Sequence, residues 1–103
     1  MTFNWGFIYL GLGTEDPAVD RAVIERGDLT TTIVAVPDRD TAAQVAVELA
    51  DGGAQTIELC GAFGTRATAQ VIEAVGDRVP VGSVSYGIEF ASAVAALSAS
   101  TPA

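Results

Sequence analysis

Four apolar or β-branched runs begin at residues 5, 30, 55 and 79, and each is followed by a break and then a stretch patterned for a helix. This alternation constrains the fold more than any other feature. Strands separated by helices, with no tight turn joining any two of them, lie parallel through right-handed crossovers. The expected order is βαβαβαβα, in a four-stranded, mostly parallel sheet of an α/β domain.

Each segment has its own local logic. The first strand is expected over 5–10 and ends at Gly11-Leu12-Gly13. A helix is then expected from Asp16-Pro17, since Asp is a favoured N-cap and Pro suits the next position. Val19, Ala22 and Val23 give it an apolar stripe, and Gly27 a stop. The second strand is 30–36, ended by Pro37. Asp38 or Asp40 caps the second helix, where Ala42, Val45, Ala46 and Leu49 fall on one face. Gly52-Gly53 terminates it.

The third strand is 55–60, followed by the turn Gly61-Ala62-Phe63-Gly64. Thr65 is the expected N-cap of the third helix, with Ala67, Val71, Ala74 and Val75 inward and Gly76 at its end. The fourth strand is 79–85. The last helix begins near Glu89, with Phe90, Val94 and Leu97 on one face, and residues 98–103 are expected to fray.

Two arrangements fit this order. In the favoured one, helices cover both faces of an open sheet with strand order 2-1-3-4, because a free-standing parallel sheet must bury both faces. In the other, all helices lie on one face, as in half of a (βα)8 barrel, and a partner covers the rest. The strands themselves disagree on this point. The run at 55–60 alternates Thr56, Glu58 and Cys60 with Ile57 and Leu59, and Ser83 and Ser85 share a face of the fourth strand. Doubly buried strands read as continuous apolar runs instead.

With 103 residues, half of them hydrophobic, the chain is one domain with an ample core. Five basic against thirteen acidic residues give a net charge of −8. Such an acidic chain lacks the basic patch that nucleic acid or an anionic membrane surface requires. One cysteine allows no internal disulfide. No segment reads as a secretion signal and no apolar run approaches the about 20 residues of a membrane span, so the expected location is cytoplasmic. Histidine is absent, which removes the commonest general base and metal ligand.

Ligands of parallel α/β folds bind at the C-terminal strand ends. There Gly61, Gly64 and Thr65 open a helix whose backbone N–H groups suit an anion. Arg66, a cation in the first helical turn, is unfavourable unless something negative lies nearby, or is simply solvated. The turn is no P-loop, and Gly11-Leu12-Gly13 lacks the third glycine of a dinucleotide fingerprint.

Glu58, a carboxylate in an interior strand, needs a partner. It is either a general base with a raised pKa or half of a structural ion pair with Arg39 or Arg66. Cys60 shares its face and is either an acidified nucleophile or a small buried apolar residue. Tyr86 and Glu89 are placed to orient a ligand or to pack. No cluster supports a metal site; Mg²⁺ held by Glu58 and Asp38 has nothing further behind it.

The segment Ile57-Glu58-Leu59-Cys60-Gly61-Ala62-Phe63-Gly64, with Val79-Pro80-Val81-Gly82 after it, resembles a family of small, uncharacterised prokaryotic proteins known only as a domain of unknown function. The resemblance runs from Phe7-Ile8 through the fourth strand. It implies that Glu58, Cys60, Gly61 and Gly64 belong together as a unit, and it supplies no activity and no cofactor. The expected function is binding or turnover of a small anionic metabolite at the strand C-termini. The alternative is a non-catalytic homo-oligomeric module, with the polar face of the third and fourth strands as its interface.

Overall fold

The computed structural model describes residues 2–100, those of 98–100 by their backbone. Its elements are β1 (Phe3–Leu10), β2 (Arg21–Arg26), β3 (Leu29–Val36), α1 (Arg39–Asp51), β4 (Thr56–Leu59), α2 (Gly64–Val75), β5 (Val81–Ser83), a 3-10 turn (Ile88–Phe90) and α3 (Ala91–Ser100). The sheet has five strands in the order β2-β3-β1-β4-β5. β3, β1, β4 and β5 are parallel to their neighbours, and β2 runs antiparallel to β3. The four runs expected as strands therefore take the expected order 2-1-3-4, within a mixed sheet.

The first expected helix is a strand, and this is the main correction to the sequence reading. Asp16 does cap a turn: its Oδ1 accepts the Ala18 N–H at 2.9 Å and its carbonyl accepts the N–H groups of Val19 and Asp20. The turn stops there, because Asp20 Oδ2 accepts the Asp16 N–H and folds the segment back on itself. Residues 21–26 then pair with β3 from Arg26↔Leu29 to Arg21↔Val34. The loop between them is Gly27-Asp28, and only the glycine has positive φ, 59°. Glycine first in a two-residue loop suits the turns that match strand twist. A three-residue apolar stripe thus loses to a hairpin with β-branched residues on both arms.

α1 follows its pattern. Asp38 Oδ1 accepts the Thr41 N–H at 2.8 Å and the Thr41 hydroxyl at 2.6 Å, capping the helix. Ala42, Val45, Ala46 and Leu49 are buried, as their spacing requires. α2 buries Ala67, Val71 and Val75, while Ala74, expected inside, is exposed. Thr65 does not cap α2: the helix begins at Gly64 and no side chain caps it. The fourth strand is shorter than expected, although the Val84 N–H still donates to the Leu59 carbonyl at 2.9 Å. At the C-terminal end, helix persists through Ser100, and residues 101–103 of the tail expected to fray lie outside the described residues.

Both packed helices lie on one face. Ile8, Val34, Val36, Ile57 and Leu59 from the sheet form one buried cluster with the inner residues of α1 and α2. α1 also packs directly on α2, and Arg21 of β2 reaches Glu48 of α1 at 2.8 Å. The favoured two-sided arrangement therefore fails. The segment that would have covered the second face became β2, and the main contacts of α3 among the described residues are with the 3-10 turn it directly continues. The one-sided layering expected of a half-barrel is present in an open, mixed sheet.

Candidate functional site

A groove of about 420 Å³ lies between α2 and the chain that continues β5, at the C-terminal ends of β4 and β5. Gly61, Gly64, Thr65 and Tyr86, all expected at a ligand site, line it. Thr68, Ala69 and Ile72 of α2 and Ser83, Val84 and Ser85 complete it. Thr68 and Ile72 follow Gly64 at four-residue steps, so they continue one face of α2. That spacing was visible in the sequence, but the inward residues of α2 drew the reading to the opposite face.

Two glycines build the mouth. Gly64 has φ of 76°, which lets the chain turn from β4 directly into α2. At Gly61 a Cβ would come within 3.2 Å of the Val84 carbonyl oxygen and 3.5 Å of Tyr86. A side chain there would push the groove's second wall outward. Arg39, from the first turn of α1, fastens the same turn. Its Nε donates to the Phe63 carbonyl at 3.2 Å and an Nη to the Ala62 carbonyl at 2.9 Å. Arg39 is thus a clamp on the β4–α2 turn and not the partner of Glu58.

Both proposed catalytic residues lie elsewhere. Glu58 points to the helix-free face, paired across strands with Phe7 and Gly82, and is exposed. It has neither an ion-pair nor a hydrogen-bond partner among the described residues. It was expected to be buried because its strand is interior; the one-sided layering leaves its face open instead. Cys60 is a half-buried free thiol packed at the margin of the core, and its Sγ accepts the Leu10 N–H at 3.3 Å. Neither residue lines the groove.

Arg66 and Glu89 are exposed and also fall outside the lining, and Glu89 begins no α-helix: it sits in the 3-10 turn. No group of three or more potential metal ligands occurs among the described residues. No helix among them is long and apolar enough to cross a membrane.

A second cleft, about 440 Å³, sits at the ends of β1 and β3, lined by Tyr9, Ile33, Glu15 and Asp20 among others. Glu15 shapes it by accepting backbone N–H groups from Leu12, Gly13 and Thr14 at 3.0–3.2 Å. These bonds, that from Gly13 first, lower its pKa below the usual carboxylate value. This carboxylate occupies the Leu12, Gly13 and Thr14 amides that an anionic ligand would otherwise take, and the Gly11 N–H donates to the Val36 carbonyl.

A family model described as a family of unknown function, DUF6506, matches residues 3–99. The chain belongs to DUF6506. No curated protein and no solved structure matches it. Membership covers both walls of the groove and all five strands of this DUF6506 chain, and it assigns no chemistry to either.

Proposed function

We propose that the chain is a binding protein for a small anionic or hydroxyl-rich metabolite, held in the groove between α2 and residues 83–86. The observation that carries this reading is a convergence at the groove. The uncapped N-terminus of α2 meets the hydroxyl-bearing side chains of Thr65, Thr68, Ser83 and Ser85 there. The first N–H groups of a helix have no intrahelical acceptor and sit at the positive end of its dipole, so an anion is a natural partner. Ile72 and Val84 supply an apolar floor, and Tyr86, 67% exposed, stands at the rim as a stacking or hydrogen-bonding group. Arg66, exposed in the first turn, adds a cation within reach of a ligand that extends beyond the groove.

The reading assigns binding and no catalytic step, because Glu58 and Cys60 stand outside the lining. A groove near 420 Å³ suits a metabolite and is small for a polymer. The test is a thermal-shift series with inorganic phosphate, phosphorylated three-carbon acids and small dicarboxylates, since a ligand of the native state raises the melting temperature. At least one should raise it in a saturable way, and Ala69→Trp, which fills the groove from its exposed α2 face, should abolish the shift. An identical shift in the filled variant, or none with any probe at millimolar concentration, ends the proposal.

A further inference from the structure

The helix-free face of the sheet is apolar at its centre and uncovered. β1 sends Phe3, Trp5, Phe7 and Tyr9 to that side in succession, opposite to Gly6 and Ile8. Registered beside them are Leu29, Thr31 and Ile33 of β3, then Ala22 and Ile24 of β2. Phe3 is 43% exposed, Leu29 45% and Ile24 56%. Trp5, Phe7, Thr31 and Ile33 at the centre are half-buried, and the top of the face is sheltered, where the Asp20 carbonyl accepts the Ala35 N–H and Ala35 is buried.

From these observations we infer that a second copy of this chain packs on this face, forming a two-fold dimer with sheet against sheet. Size supports it. Four strands about 4.8 Å apart and about 20 Å of uncovered strand give a projected footprint near 400 Å². Two such faces project to about 800 Å² together, and standing side chains raise the accessible area above the projection, toward the low end of the about 1,200–2,000 Å² in total that specific complexes bury. Large exposed apolar patches on a soluble domain mark interaction sites. A second copy brings a face of equal size and the same aromatic ridge.

Shape supports it as well. The β1 ridge has one low point on each side, at Trp5, whose neighbours on this face are Thr56 of β4 and Thr31 of β3, so a ridge crossing there at an angle meets small residues. Charge does not oppose it. Among strand positions on this face the charged ones are Arg26 on β2, level with Phe3, and Glu58 on β4, level with Phe7, so the apolar centre between them carries no charge to desolvate. An anionic membrane is disfavoured by the net charge of −8. The face shares no residue with the groove between α2 and β5, so this inference stands apart from the proposed ligand.

The experiment is sedimentation velocity of the full chain from about 1 to 200 µM, alongside fluorescence of its one tryptophan, Trp5, which lies on the face. A species of twice the 10.5 kDa chain mass is expected, with Trp5 emission moving to shorter wavelength as it forms. Adjacent residues on β2 supply the control. Ile24 and Val23 are each 56% exposed but point to opposite faces. Ile24→Lys should raise the dimer dissociation constant by about tenfold or more, as truncation or charging of a central contact does. Val23→Lys should leave it unchanged. Leu29→Lys, on the same face from β3, repeats the test should Ile24→Lys misfold by circular dichroism. A monomer throughout the range, a dimer indifferent to Ile24→Lys and Leu29→Lys, or one equally weakened by Val23→Lys overturns the inference.

Discussion

At Gly64 the backbone takes φ of 76°, in the left-handed region, and nothing lies within 4 Å of where a Cβ would stand. Space is therefore not the constraint; conformation is. Gly64→Ala should cost about 1–2 kcal/mol, the left-handed penalty for an L residue, in denaturant unfolding with an unchanged m-value. Asp38 makes a different residue-scale prediction. Its pKa lies below the ordinary 3.8, first because the Thr41 hydroxyl and then the Thr41 N–H donate to it. A carboxylate whose folded pKa is depressed contributes stability above its unfolded value and loses it as pH falls through the folded one. Asp38→Ala should therefore lower the melting temperature at pH 7, and the gap to the parent should close as pH drops below about 3.8. A gap that stays constant down to pH 2 would show that the cap does not depend on the charge.

At the scale of elements, Arg39 couples α1 to the β4–α2 turn through the Ala62 and Phe63 carbonyls. Arg39→Met keeps the aliphatic stem and removes both hydrogen bonds, which together net about 1 kcal/mol at a half-exposed position. The expected signature is local: faster amide exchange at 61–64 and weaker ligand response in the groove, with the core amides of β1 and β4 unchanged. If exchange rises uniformly, the arginine holds the whole fold rather than the turn. Nothing in the sequence marked this clamp, since a cation donating to carbonyls leaves no pattern. The parallel strands, α1 and the glycine turn were legible because each combines periodicity with a matching start or stop. Residues 16–27 were misread because Asp16-Pro17 is a true turn signal and Val19, Ala22 and Val23 fit a helix over a single turn only. The Gly27-Asp28 dipeptide between two β-branched runs was the better signal, and it named a hairpin. Glu58 was misjudged for one reason that follows from this. With a helix over 16–27 both sheet faces would be covered, and its carboxylate would have been buried.

For the whole molecule the controlling quantity is a net charge of −8 on a body of 14.2 Å radius of gyration. Two effects of salt oppose each other. Screening weakens the exposed ion pairs Arg21–Glu48 and Arg78–Asp51, whose side chains are 28–64% accessible. Pairs this exposed contribute about 0–1 kcal/mol each, so little is lost. Screening also relieves repulsion among thirteen carboxylates held within one compact body. At 0.1 M the Debye length is about 10 Å, shorter than the molecule, so most of that long-range repulsion is removed. Repulsion is larger in the folded chain than in the expanded unfolded one, so the second effect wins and the melting temperature should rise between about 20 and 300 mM KCl. A chloride salt is the right choice, because on the proposed reading phosphate or sulfate is itself a ligand of the groove beside α2, and its binding would be confounded with screening. Association should strengthen over the same range, since two copies of charge −8 repel at long range while their meeting face is apolar. A melting temperature that falls with KCl would mean that local charge pairing, and not the excess of acid, governs the stability of this sheet.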